Sequence, residues 1–144
     1  MVYDVSDLEN NEGIDTEYEG DIRVVEVSRD SREPLYRFGA PDHKTKSYDL
    51  GPEFENPHAA RLYAAVYVVT RFREEKTGRR GIPESVEQAG REAVIAYQRC
   101  RPGTSVDWLA HKYDLDRQRI YEYCSRIKSR ARDEKELIVV PDDY

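Results

Sequence analysis

The apolar positions of this 144-residue chain change spacing near residue 56, from a strand-like to a helix-like period. Residues 22–28 (Ile-Arg-Val-Val-Glu-Val-Ser) are β-branched and partly alternating, which predicts a strand. Asp30 to Pro34 supplies a turn, and Leu35-Tyr-Arg-Phe38 a second short strand, so a hairpin is expected. Pro41 to Pro52 reads as loop, with a brief strand near Lys46–Asp49. Asn56-Pro57 is a helix start, because Asn accepts from exposed first-turn N–H groups and Pro has no N–H to leave unpaired. That helix is predicted to run to Thr77, before Gly78. Ala59, Ala60, Leu62, Tyr63, Ala65, Val66, Val69 and Phe72 make it apolar on more than one face, as suits a central core helix or a dimer interface. Arg79-Arg80-Gly81 follows as an exposed loop. A second helix is predicted over 84–99, with Val86, Ala89, Ala93, Val94, Ala96 and Tyr97 inward, and Gly90 either weakening it or admitting a close neighbour. Residues 136–141 (Glu-Leu-Ile-Val-Val-Pro) predict a short strand that pairs with the hairpin or forms a minimal wing.

Residues 103–130 are the most informative stretch. Thr104 or Ser105 can cap a short helix in which Leu109 and Ala110 face inward. Tyr113 and Leu115 bracket a turn, Asp116 caps the next helix, and Ile120, Tyr123 and Ile127 recur at spacings of three and four. Trp108 is expected as a partly buried anchor between helices.

Charge sharpens this picture. The chain carries a net −6, with 36% charged and 38% hydrophobic residues, so a lean core lies under a highly charged surface. Residues 1–56 hold 15 acids against 6 bases, a net of −9, whereas residues 99–132 hold 9 bases against 4 acids, a net of +5. A phosphate backbone meets the local patch rather than the total. The eight acids in residues 1–21 predict a flexible acidic tail that could contact a protein partner. No run approaches the ~20 apolar residues that span a bilayer, and the acidic N-terminus is unlike a secretory signal. No membrane partner and a cytoplasmic location are therefore expected. Cys100 and Cys124 are read as small, semi-buried residues, since they lack metal-ligand spacing with His111. His58-Ala-Ala-Arg61 has the H-x-x-R spacing of tyrosine recombinases, but that family needs a much larger catalytic domain. With no nucleophile triad, Gly-rich phosphate loop or carboxylate pair, no enzymatic activity, cofactor or metal is expected.

The residues just described make segment 105–124 resemble the helix-turn-helix superfamily of DNA-binding proteins, most closely the last two helices of sigma-factor region 4 and small repressor or transposase domains. Asp114 stands where that family usually has Gly, and Asp tolerates left-handed geometry better than most residues. The resemblance implies a trihelical unit over about 84–130 that places helix 116–130 in the major groove. On that reading Arg117, Gln118, Tyr121 and Glu122 contact base edges, with guanine suited to Arg117, adenine to Gln118 and cytosine N4 to Glu122. Thr104, Ser105, Lys112, Arg119, Arg126 and Lys128 position the backbone.

The expected architecture is α+β and mainly helical. It comprises an acidic tail (1–21), a β-hairpin and loop (22–55), a helical helix-turn-helix domain (56–135) and a C-terminal strand and tail (136–144), with the C-terminal strand able to join the small hairpin. The expected function is sequence-specific binding of double-stranded DNA by a small prokaryotic or viral transcriptional regulator. A homodimer is expected through helix 57–76 or helix 116–135, since one such helix buries little surface. The rival reading is a non-enzymatic interaction module in which the helix pair is a docking scaffold.

Overall fold

Strict alternation begins earlier than the β-branched run at residue 22. In the computed structural model, which describes residues 13–29, 32–41, 48–72 and 81–141, Thr16 and Tyr18 are fully buried between half-exposed neighbours and lie in strand β1 (Ile14–Tyr18). Strands β2 (Ile22–Arg29), β3 (Arg32–Pro41), β4 (Tyr48–Phe54) and β5 (Leu137–Val139) complete an antiparallel sheet in the order β4-β3-β2-β1-β5. This corrects the mainly helical, trihelical architecture with a small hairpin: the strands form a five-stranded sheet. The acids of residues 13–21 conceal the inward Thr16 and Tyr18, so a strand stands where a tail was expected. Gly51 and Pro52 conceal β4 in the same way. Proline is tolerated there because, among the described residues, β4 is an edge strand with no ladder partner on one side to miss its N–H. The first twelve residues of the expected tail, the turn at Asp30-Ser31, Lys46 and residues 73–80 and 142–144 lie outside the described residues.

The chain divides into two compact units, residues 1–64 with 135–144, and residues 65–134. In the first, β1 and β2 turn through Glu19–Asp21, with Gly20 and Asp21 in the left-handed region that tight hairpins require. Tyr18 pairs with Ile22, Thr16 with Val24, and Val24 with Phe38, which lines up one buried face. Helix α1 (Pro57–Thr70) starts at the expected Asn56-Pro57, where the Asn56 side chain accepts from the His58 N–H at 2.8 Å. Its Tyr63 ring packs against Phe38 and Phe54, with centroids 5.1 and 5.3 Å away. Arg61, from the H-x-x-R fragment, is buried. It forks onto Asp15, Nε to Oδ2 and Nη2 to Oδ1, both at 2.8 Å. On β3, Gly39 leaves room for the Tyr48 ring, which a Cβ there would meet at 2.6 Å. Tyr48 donates to the Asp21 carbonyl at 3.0 Å, and burial pushes its phenol pKa up.

The second unit holds the end of α1, then α2 (Glu84–Ala89), α3 (Arg91–Cys100), α4 (Val106–Tyr113) and α5 (Arg117–Glu134). Helix α1 stops at Thr70 rather than Thr77, with Arg71 left-handed at φ 56°. The single helix expected over 84–99 is two. Gly90, at φ 109° and ψ 177°, separates α2 from α3, in a region essentially confined to glycine. Nothing lies within 4 Å of where a Cβ would stand, so conformation rather than space demands glycine. Gly90→Ala is therefore expected to destabilise the chain by about 1–3 kcal/mol. Chemical denaturation would register this as a lower midpoint at unchanged slope. Ile95 of α3, Val106 and Leu109 of α4 and Ile120 of α5 form a buried cluster, flanked by Ala110, Tyr113, Leu115 and Tyr123.

Candidate nucleic-acid interface

The α4–α5 pair is built from local signals. Ser105 caps α4, its Oγ accepting from the Trp108 N–H at 3.0 Å. Asp114 ends α4 at φ 54° and ψ 52°, in the left-handed conformation. The Leu115 N–H then returns to the Ala110 carbonyl at 2.8 Å, closing the turn. Asp116 starts α5, with its carboxylate accepting from the Arg119 N–H at 2.8 Å. Two contacts to α3 brace the pair: Arg91 donates to the Tyr113 carbonyl at 2.6 Å, and the Tyr113 hydroxyl bonds to the buried Gln98. Ile120, Ile127 and Ala131 turn one stripe of α5 inward.

That stripe leaves Arg117, Gln118 and Tyr121 exposed on the first turns of α5, with Glu122 half-buried beside them. Arg117 Nε lies 3.2 Å from Asp107 Oδ1 on α4. Arg119 pairs with Glu122 at 3.6 Å, which places a cation beside this carboxylate. Ser105 and Lys112 are exposed on α4, while Thr104 is half-buried and its carbonyl accepts from Arg99 at 3.3 Å.

Two of the expected backbone contacts lie apart from this group. Arg126 is bound to Glu92 of α3 at 2.8 Å. Lys128 is half-buried and near enough to Cys100 and Cys124 to act on their thiols. Burial dominates both thiols, raising Cys100 well above its ordinary pKa and Cys124 to about 11.

Trp108 does not sit between helices as expected. It is 49% exposed, with the Lys112 ammonium 4.6 Å from its ring centroid. The signal was present in the periodicity: Val106, Leu109 and Tyr113 define the inward side of α4, and residue 108 falls opposite. Asp107, which sequence reasoning passed over, reaches from the first turn of α4 to Arg117 at the start of α5. Among the described residues no group of His, Cys, Asp or Glu could hold a metal ion, and no helix is long and apolar enough to cross a membrane. No protein-family model matches the chain, and no curated protein or solved structure does either.

Proposed function

We propose that this chain is a sequence-specific double-stranded DNA-binding protein of the helix-turn-helix kind, a small cytoplasmic transcriptional regulator that reads the major groove with the first turns of α5. The observation that carries the reading is the left-handed turn at Asp114. It lets the Leu109–Ile120 core close behind α5 while Arg117, Gln118 and Tyr121 stay outward. Such exposed N-terminal residues are those that reach base edges when a helix enters the groove. The ion pair of Arg119 with Glu122 does not oppose this reading. Exposed pairs contribute little, so a phosphate can exchange for the acid. Activity as a homodimer follows from the small surface one such helix covers.

The experiment is a mobility-shift titration on double-stranded DNA across a salt series. The two cationic backbone contacts that lie with this group, Lys112 and Arg119, predict a log–log slope of about −1.8 per protomer, or roughly a 12-fold loss of affinity between 50 and 200 mM salt. Changing Arg117 and Gln118 to Ala should flatten sequence preference, whereas equal loss on all sequences would defeat their assignment as base readers. The second reading, a protein-docking scaffold, draws on the exposed aromatics Trp108 and Tyr121. Absence of any shift at low salt would decide for it.

A further inference from the structure

We propose that Asp107 is a specificity-positioning residue that presents Arg117 to a guanine. The assignment rests on the DNA-binding reading above and deepens it. Arg117 is the first residue of α5 and Asp107 lies in the first turn of α4, so their contact crosses the turn between the helices. It is made through Nε, at 3.2 Å from Oδ1. An arginine carries five N–H donors in a planar fork. An acid at Nε leaves the terminal Nη pair, which lies side by side in the guanidinium plane, available to a second acceptor. Guanine offers its O6 and N7 acceptors side by side on the major-groove edge, and a bidentate arginine is their common partner.

A long, exposed side chain would otherwise lose much rotamer freedom on engaging a base. Here the Asp107 carboxylate, across the turn between the helices, restricts it beforehand. In the free protein the pair is solvated, with 64% and 73% of the two side chains exposed, and contributes little to folding. When a groove closes over it and water leaves, the attraction strengthens. Asp107 also sets a penalty: a carboxylate beside the groove is tolerated only where Arg117 remains engaged with it and with its base, which disfavours sequences lacking guanine there.

The test is selection of bound sites from randomised double-stranded DNA with the full chain, repeated for Arg117→Ala, Asp107→Ala and Asp107→Asn. Wild type should enrich a site with one guanine whose preference Arg117→Ala abolishes. Asp107→Ala should reduce preference for that guanine roughly tenfold and leave preferences at other positions intact. Asp107→Asn, which keeps an acceptor without the charge, should fall between. Thermal midpoints within a degree or two of wild type would exclude a folding effect. If Asp107→Ala retains the guanine preference, or instead alters affinity for all sequences alike, Asp107 does not position Arg117, while the DNA-binding reading stands. If wild type enriches no sequence and shifts no DNA at low salt, that reading falls and this assignment with it.

Discussion

Arg61→Ala should destabilise the chain by about 3–5 kcal/mol, the usual cost of stranding one charge of a buried pair. The pair is closed on both sides: the side chains of Arg61 and Asp15 are only 5% and 11% exposed, and two 2.8 Å hydrogen bonds join them. Thr16 Oγ1 adds a third bond to Asp15 at 2.7 Å. Removing the guanidinium leaves the carboxylate with Thr16 and little water. Domains of this size are commonly stable by ~5–15 kcal/mol, so the loss removes a large share of the total. Asp15→Ala should also destabilise the chain, by taking both carboxylate hydrogen bonds from the buried cation. The double variant Asp15→Leu/Arg61→Met should cost clearly less than the two singles added together, because neither charge is then left unpaired. Urea denaturation of the four proteins closes the cycle. Additive effects, or single losses under 1 kcal/mol, would show that the pair does not hold β1 to α1.

That ion pair also marks where the sequence stops being legible. Asp15 counts as one more acid in an acidic segment until its partner, 46 residues away, is known. Composition therefore argued for a tail where Thr16 and Tyr18 alternate as a strand. Breakers misled in the same direction at Gly51-Pro52, because propensity does not say which strand lies at an edge. Gly90 was visible as a helix weakener, but its backbone angle, and so the break between α2 and α3, depends on the chain on either side. Segment 105–124 was legible because its signals are local: a cap at Ser105, a left-handed residue at Asp114, a cap at Asp116, and apolar residues at helical spacing. Candidate contacts were legible by the same measure. Exposure of Arg117, Gln118 and Tyr121 follows from the α5 stripe alone. The attachment of Arg126 to Glu92 needs α3 in place, and no helical wheel of α5 contains α3.

If local order in α4 and α5 supports groove reading, a core residue beneath them should matter as much as the residues on top. Ile120→Ala is expected to cost about 2–5 kcal/mol, since a fully buried side chain loses its transfer free energy and leaves a cavity that closes only in part. Ile120 lies one turn into α5 and meets Ile95, Val106 and Leu109, so the cavity opens where α3, α4 and α5 converge. Loss of this contact frees the start of α5, and with it the relative placement of Arg117 and Gln118. Affinity for a selected DNA site should then fall at temperatures where most of the chain remains folded by circular dichroism. Ile120→Val, which removes a single methylene, should cost about 0.5–1.5 kcal/mol and leave sequence preference unchanged. The two variants together separate packing from chemistry, because neither alters a charge or a hydrogen bond on the outer face. A chain that keeps wild-type affinity and preference with Ile120→Ala, despite a lowered denaturation midpoint, would show that the outward residues of α5 are not held in place by the core beneath them.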